Sequence, residues 1–307
     1  MKIAAKKIKQ TCFDSIKDWE KSSSKQSKGI CLLKASDDRG ILNVGGRLGA
    51  RLAPSVVVNA FSEMILGMDP KLREIDFIVG SDVNLGKSIE FAHDSLVSNI
   101  STAYEKKLFP VVIGGGHDFG YPHVSAVTQR FGVKNVALIN VDAHLDVRPV
   151  AGGVITSGSP FYLALENKKI IPNNFVEFGI QSHCNDIELA NYLRKKKVKV
   201  VSLKEARKKN LVKAFEQILA RFSKKKVVVS IDLDAVAMAF CPGVSAPQAD
   251  GLTSQELLEI CEISGKSKVV VSVGFFELSP ILDENNKSIR LAATAIHRLA
   301  SAFANRK

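Results

Sequence analysis

Short apolar runs recur along the chain, and a stretch of helical length separates each run from the next. The runs occupy residues 29–33, 75–79, 109–113, 136–139, 175–180, 198–201, 227–231 and 269–273. Nearly continuous Val and Ile segments of this length are typical of strands buried on both faces, as in parallel sheets covered by helices. The pattern therefore predicts a three-layer α/β fold, with about eight mostly parallel strands between two layers of helices.

The remaining segments fit one domain. A glycine-rich stretch at 43–50 leads into a predicted helix at 54–66, and apolar residues at helical spacing predict a C-terminal helix within 286–306. Residues 1–28 end in a polar, lysine-rich run and are predicted to form a mobile N-terminal lead-in. We expect a single domain over residues 29–307, because a chain of this size can bury one large core and no linker or repeat divides it.

The chain is basic, with a formal charge of +12 from 43 Lys and Arg residues against 31 Asp and Glu residues. The lysines fall in short clusters, such as 195–197 and 224–226, beside predicted strands or at helix ends, which is typical of a solvated surface. We therefore expect no nucleic-acid partner, although a positive field would attract a small anionic molecule.

The cysteine pattern and the hydropathy indicate in which cellular compartment the protein is expected. Five scattered cysteines without a C-x-x-C pair favour a reducing environment over a disulfide framework or a structural zinc site. The basic first ten residues are not followed by the apolar stretch of a signal peptide, and no window is apolar enough to span a bilayer. The expectation is a cytoplasmic protein without a membrane partner.

Three of the predicted strands end in sequences rich in aspartate and histidine: Gly-Gly-Gly-His-Asp at 114–118, Asp-Ala-His-Leu-Asp at 142–146 and Ser-Ile-Asp-Leu-Asp at 230–234. Side chains at i, i+2 and i+4 of an extended segment point to one face, and the carboxyl ends of parallel strands lie on one edge of a sheet. The sequence therefore predicts a single cluster of six candidate metal ligands: His117, Asp142, His144, Asp146, Asp232 and Asp234.

Each of these residues has an ordinary alternative, since the aspartates could cap turns or helices and His117 could be a core histidine with satisfied hydrogen bonds. Together, however, four aspartates near a buried sheet would repel one another strongly without cations. Two divalent ions that share carboxylates would neutralise the charge, and oxygen-rich ligation with some imidazole suits Mn²⁺. Such a pair generates a bridging hydroxide at neutral pH, which is the nucleophile for a hydrolysis.

The three motifs, in this order and at this spacing, strongly resemble the signatures of the ureohydrolases, the arginase and agmatinase superfamily, from about residue 43 to the C-terminus. The resemblance implies the three-layer arginase-type fold, two manganese ions held by the six residues above, and hydrolysis of a C–N bond at an amidine or guanidinium carbon. It also implies that Asp146 relays a proton of the bridging hydroxide. A homo-oligomer, either a trimer or a hexamer, is implied by analogy alone.

Finer features are similar to one branch of this family, the formimidoylglutamases. They are the Gly-Gly-Gly-His-Asp motif, Asp-Val-Arg-Pro at 146–149, the histidine-free loop Thr-Ser-Gly-Ser-Pro-Phe at 156–161, and Phe-Gly-Ile-Gln-Ser-His-Cys-Asn at 178–185. The resemblance implies a small amidine substrate, N-formimidoyl-L-glutamate, which manganese-dependent hydrolysis converts to L-glutamate and formamide, a step of histidine degradation.

Four residues are candidates for contact with this substrate. The family places an amidinium-binding carboxylate at Glu277, which from the sequence alone is equally well explained as an acid at a helix start. Arg148 and Arg47 could pair with the two substrate carboxylates, and Ser157 lies in the histidine-free loop. Both arginines have structural alternatives, because Arg148 could form an ion pair within the metal loop and Arg47 could fix the glycine turn.

One departure from the family pattern follows the third motif. The family usually continues Asp-x-Asp-x-x-Asp-Pro, whereas this chain has Ala237-Met238 in place of the last pair. The missing carboxylate is not a metal ligand in the family, so the ions are expected to bind, but loop geometry and substrate preference stay open. The alternatives are another ureohydrolase acting on a guanidino substrate (agmatinase, guanidinobutyrase or arginase) and a catalytically altered homologue with a binding or assembly role.

Overall fold

The computed structural model describes residues 28–64, 68–208 and 210–306. Within these ranges one sheet contains eight strands: β1 (Gly29–Ala35), β2 (Asp76–Asp82), β3 (Phe109–Gly114), β4 (Val136–Val141), β5 (Phe175–Ile180), β6 (Lys199–Ser202), β7 (Lys226–Asp232) and β8 (Val270–Phe276). All strand pairs are parallel, and the order is β2-β1-β3-β8-β7-β4-β5-β6. The predicted strands and their parallel arrangement are confirmed.

Burial decreases from the middle of the sheet to its edges. Every residue of β3, β4 and β5 is buried, whereas the edge strands β2 and β6 have partly exposed residues. The inner strands are rich in Val and Ile, because branched side chains pack well on a sheet surface that is covered on both sides. The sequences of the inner strands are therefore nearly continuous apolar runs.

Helices alternate with the strands: α1 (Arg39–Asn43), α2 (Ala53–Ser62), α3 (Ile89–Glu105), α4 (Gly120–Phe131), α5 (Pro160–Glu166), α6 (Ile187–Lys196), α7 (Leu203–Lys208), α8 (Leu211–Arg221), α9 (Ser254–Lys266) and α10 (Lys287–Ala304). The core on one face of the sheet includes residues of α2, α7, α8, α9 and α10, and α3 to α6 pack on the other face. The three-layer α/β architecture is confirmed. The structure has a helix in each predicted segment: α2 covers residues 53–62 of the segment predicted at 54–66, of which residues 65 and 66 lie outside the described residues, and α10 covers residues 287–304 of the segment predicted at 286–306.

The predicted lead-in, residues 1–28, lies outside the described residues apart from Lys28. The amine of Lys28 donates a hydrogen bond to the carbonyl oxygen of Ala304 at 3.0 Å, next to the end of α10. The single domain predicted over residues 29–307 stays a prediction. None of the described helices is both long and apolar enough to cross a bilayer.

The strand order matters most for the functional residues. The strands β3, β8, β7 and β4 are adjacent in the middle of the sheet, although β8 is the last strand in the chain. Since all four run in the same direction, their carboxyl ends meet at one place on the edge of the sheet, where open α/β folds form their binding sites.

Candidate metal centre

The carboxyl ends of these four central strands carry most of the predicted site residues. His117 opens a short 3-10 turn after β3, and Asp142 directly follows β4. Asp232 is the last residue of β7, Asp234 lies in the turn that follows, and Glu277 comes directly after β8. Chain segments that are far apart in sequence therefore contribute to one site.

The glycines that precede His117 allow close packing around it. A Cβ atom at Gly115 would overlap the carbonyl oxygen of Asp37, and one at Gly114 would overlap the ring of Phe276. That ring stacks on the imidazole of His117, with 4.9 Å between centroids and 21° between planes. The Gly-Gly-Gly-His sequence thus lets the end of β3 approach both neighbouring strands and holds the imidazole in place.

Three aspartates surround the imidazole of His117. Its Nδ1 atom lies 3.0 Å from Oδ2 of Asp146, 3.0 Å from Oδ2 of Asp232 and 3.2 Å from Oδ2 of Asp142. Nδ1 is buried and makes no hydrogen bond with any described residue, whereas Nε2 is bonded to the hydroxyl of Ser230 at 2.8 Å. This nitrogen and the three carboxylate oxygens face one another without hydrogen bonds between the nitrogen and the oxygens. Ligands around a metal ion have the same arrangement.

A second group of donor atoms shares Asp142 with the first. Nδ1 of His144 lies 3.1 Å from Oδ2 of Asp234 and 3.5 Å from Oδ1 of Asp142. Within each group, all the donor atoms are within 4.8 Å of one another. The structure therefore brings together all six predicted ligands, as two groups that Asp142 joins.

Burial makes the negative charge of this cluster costly. The four aspartates and Glu277 are at most 8% exposed, and among the described residues the ion pairs to them come from the two histidines, not from lysine or arginine. Burial raises the pKa of Asp234 to about 6, and it raises the pKa of Glu277 well above the usual range, with a further increase from the charge of Asp232. Two divalent cations would remove this cost, and carboxylate and imidazole ligands suit Mn²⁺.

Two site residues have left-handed backbone conformations, which are uncommon outside glycine. The φ angle is 46° at Asp146 and 67° at Glu277. Backbone strain of this kind persists where the surrounding structure enforces it, and it is concentrated at functional sites. Here one carboxylate oxygen of Glu277 accepts a hydrogen bond from the backbone N–H of His117 at 2.8 Å, which ties the end of β8 to the end of β3.

A cavity of about 220 Å³ opens above the cluster, which is room for a small molecule. Its lining includes Asp146, Glu277, Arg148 and Ser157. Arg148 is exposed, and none of the carboxylates in the described part of the chain lies within ion-pair distance of its guanidinium. Its side chain crosses Gly158, where a Cβ atom would lie 2.8 Å from Cδ of Arg148.

Arg47 has backbone partners. Its Nε donates to the carbonyl oxygen of Ser245 at 3.0 Å, and its Nη2 donates to that of Val244 at 2.9 Å. These bonds join the glycine-rich stretch at 43–50 to a distant loop, which agrees with the structural alternative for this residue. Contact with a substrate stays a prediction for Arg47, Arg148 and Ser157.

Four polar residues support the cluster but were not among the predicted site residues. Ser230 orients His117, as described above. Asn185 holds the loop after β4 by accepting a hydrogen bond from the N–H of Leu145 and donating to the carbonyl oxygen of Ala143, both at 2.8 Å. Asn140 and Glu177 lie buried behind Asp142. The sequence could have predicted a role for Asn140, because it precedes Asp142 by two residues and its side chain therefore points to the same face of the extended chain.

The segment with Ala237-Met238 is held by backbone hydrogen bonds. The N–H of Ala237 donates to the carbonyl oxygen of Leu252 at 3.0 Å, and that of Met238 donates to the carbonyl oxygen of Gln248 at 2.8 Å. The loop after β7 is thus ordered by pairing with residues 248–252, without the aspartate that the family usually has.

Comparison with known proteins agrees with this geometry. The arginase family model matches residues 37–301. Formimidoylglutamase of Staphylococcus aureus (strain JH9) is 28% identical over 294 residues, which covers 93% of this chain and 89% of that protein. The crystal structure of Trypanosoma cruzi formiminoglutamase with Mn²⁺ is 31% identical, with a TM-score of 0.86, and the alignment covers 91% of this chain and 95% of that one.

A third relative has a different name. Proclavaminate amidino hydrolase from Streptomyces clavuligerus is 27% identical, with a TM-score of 0.80, and the alignment covers 91% of this chain and 92% of that one. All these similarities extend over nearly the whole chain, and the family model alone spans most of it. This protein therefore belongs to the arginase family of ureohydrolase enzymes.

Proposed function

We propose that this protein is a manganese-dependent hydrolase that converts N-formimidoyl-L-glutamate and water to L-glutamate and formamide, as in histidine degradation. The observation that carries the proposal is the pair of donor groups joined by Asp142, in which Nδ1 of His117 faces three carboxylates without a hydrogen bond. The names of the Staphylococcus aureus and Trypanosoma cruzi relatives support N-formimidoyl-L-glutamate as the substrate. The Mn²⁺ in the Trypanosoma cruzi structure supports manganese as the metal.

In this proposal two ions are held by six residues: His117, Asp142, His144, Asp146, Asp232 and Asp234. When bound, the ions supply Lewis acidity and lower the pKa of water enough to make it a nucleophile at neutral pH. Every carboxylate of the cluster then has a cationic partner, so the ionised forms that burial disfavours in the protein alone become stable.

Asp146 and Glu277 have the catalytic roles. Asp146 accepts the proton of the attacking water and returns it to the nitrogen that leaves with L-glutamate, while the new C–O bond makes formamide. Glu277, in the cavity wall, pairs with the cationic formimidoyl group and holds its carbon above the cluster. Its pKa, which burial raises well above the usual range, decreases when a cation lies beside it, so the substrate favours the charged form that binds it.

Arg148 is the residue to which we assign a substrate carboxylate. We expect Arg148→Gln to raise KM by about 10- to 100-fold with little change in kcat, because a hydrogen bond to a charged group contributes about 1.5–3 kcal/mol and the residue lies away from the reacting bond. Steady-state kinetics with the formimidoyl substrate measure both parameters.

Arg47→Gln is the matched control for that substitution. Its bonds to the carbonyl oxygens of Val244 and Ser245 predict a lower melting temperature with a much smaller change in KM. If Arg47→Gln raises KM as much as Arg148→Gln does, the assignment of the carboxylate to Arg148 is wrong.

The proposed substrate is tested by assays of the Mn²⁺-loaded protein with N-formimidoyl-L-glutamate, arginine, agmatine and guanidinobutyrate. We expect kcat/KM for the first compound to exceed that for each of the others by at least about 100-fold, because the loop at 156–161 has no histidine and Arg148 in the cavity wall has no acidic partner among the described residues. Turnover of a guanidino compound without turnover of the formimidoyl compound would contradict the proposal.

A guanidino or amidino substrate is the second candidate, and the similarity to proclavaminate amidino hydrolase favours it. The same residues serve it, because an amidinium and a guanidinium are both planar cations that Glu277 can pair with. The expected trimer or hexamer, the absence of a nucleic-acid or membrane partner, and the cytoplasmic location stay predictions.

A further inference from the structure

Two buried polar residues lie directly behind the candidate metal centre. Asn140 on β4 and Glu177 on β5 are both fully buried, and they are side by side in the register of the two strands. The side-chain nitrogen of Asn140 donates to Oε2 of Glu177 at 2.9 Å and to Oδ2 of Asp142 at 3.2 Å. One amide nitrogen therefore joins a metal-ligand candidate to a carboxyl group that lies outside the cluster.

Asp142 is the residue that the two groups of donor atoms share. Its Oδ2 belongs to the group around His117, while its Oδ1 lies near Nδ1 of His144 and accepts the backbone N–H of His144 at 2.7 Å. Because both groups of donor atoms include this carboxylate, a rotation about its Cβ–Cγ bond would displace an oxygen from each of them.

Asn140 can orient Asp142 only if its own amide is oriented. The two ends of an amide have nearly the same shape, and a half-turn would direct the oxygen instead of the nitrogen at the carboxylate of Asp142. Glu177 opposes that half-turn, because its oxygen accepts a hydrogen bond from the same nitrogen. Both N–H groups then point at carboxyl oxygens, one on each side.

Glu177 is costly to the fold. One of its oxygens, Oε1, and the amide oxygen of Asn140 are buried without a hydrogen-bond partner in the part of the chain that the structure describes. A buried carboxyl group with one oxygen left without a partner destabilises a strand that an apolar side chain of similar length would fill well. Glu177 is the one acidic residue in β5, whose other residues are Phe, Val, Gly and Ile. We therefore expect Glu177 to contribute to the metal centre and not to the stability of the sheet.

We propose that Asn140 and Glu177 form a positioning pair that holds the carboxylate of Asp142 in the orientation needed to serve both metal ions. The proposal rests on the dinuclear site proposed above, and it assigns no contact with substrate to either residue. Groups that support metal ligands typically change metal affinity by about 10- to 100-fold when they are replaced.

Two substitutions of Glu177 separate positioning from bulk structure. Glu177→Met keeps the length and the unbranched shape but removes the acceptor, so the amide of Asn140 is free to turn. Glu177→Gln keeps an acceptor oxygen for the N–H of Asn140. Calorimetric titration of each metal-free protein with Mn²⁺ gives the affinity and the number of ions, and thermal unfolding of the metal-free proteins reports the stability of the fold.

We expect Glu177→Met to bind Mn²⁺ about 10- to 100-fold more weakly than the natural protein, with a metal-free melting temperature that is no lower, and Glu177→Gln to keep most of the affinity. Equal affinity in all three proteins would overturn the proposal, and so would a loss in Glu177→Met that accompanies a less stable metal-free fold. Affinity that is as weak in Glu177→Gln as in Glu177→Met would also overturn it. A natural protein that binds no Mn²⁺ would contradict the dinuclear site itself, which is a different result.

Discussion

The Asp146→Asn protein is expected to lose catalysis by about 10²- to 10⁴-fold in kcat, which is the usual contribution of a positioned acid-base group. The carboxylate of Asp146 lies 3.0 Å from Nδ1 of His117, where it can both complete the donor group and accept a proton. Asparagine is a better choice than alanine for this test, because the backbone at Asp146 is left-handed and asparagine adopts that conformation readily. Steady-state hydrolysis after Mn²⁺ loading gives the measurement.

The control for this substitution is Asp94→Asn, which removes an exposed carboxylate on α3 and should leave kcat unchanged. Metal content and circular dichroism of both variants separate a lost proton acceptor from a lost ion or a lost fold. If Asp146→Asn binds metal and hydrolyses the substrate as fast as the natural protein, Asp146 has no catalytic role. A protein with only a binding or assembly role would show no hydrolysis before or after the change.

Addition of Mn²⁺ to the metal-free protein is expected to raise its melting temperature by about 5 °C or more. An ion that binds only the folded state at 100 times its Kd stabilises that state by about 2.7 kcal/mol, and about 1 kcal/mol shifts the melting temperature of a chain of this size by roughly 2 °C. Two ions and the relief of repulsion among buried carboxylates both increase the effect. Differential scanning calorimetry with and without a chelator measures it.

Asp232→Asn provides the matched control for metal stabilisation. Burial raises the pKa of this carboxyl group well above the usual range, with a further increase from the charge of Asp234, so its ionised form destabilises the metal-free fold at neutral pH. The neutral amide should therefore leave the metal-free protein at least as stable as before, while the stabilisation by Mn²⁺ becomes smaller. An equal increase in melting temperature for both proteins would show that the metal binds elsewhere.

Most of the fold and the donor atoms of the site could be predicted from local patterns. Strands such as β4 are buried on both faces, which leaves an apolar run in the sequence, and Asp232 and Asp234 are two residues apart at a strand end. Neither inference needs knowledge of distant residues. The order of the strands was not predictable in this way, because nothing in the sequence of β8 indicates that it lies between β3 and β7.

The supporting contacts were beyond prediction for the same reason. Ser230 is visible within the third motif, but its partner, His117, is 113 residues away in the chain. Arg47 binds carbonyl oxygens almost 200 residues further along, and backbone carbonyls carry no side-chain signal in a sequence. In the sequence, Glu177 is a single acidic residue in an apolar strand. Only the register of β4 and β5 shows that it lies beside Asn140.

The assembly of the centre from four adjacent central strands has a consequence for folding. Glu277 bonds to His117 across 160 residues of sequence, so the centre forms only when β8 has been inserted between β3 and β7. Pairings of this kind have high contact order and form slowly, because the entropy of closing long loops must be overcome before they contribute. A nascent or partly folded chain therefore lacks the proposed metal site, and metal capture at that site would report the completion of the sheet.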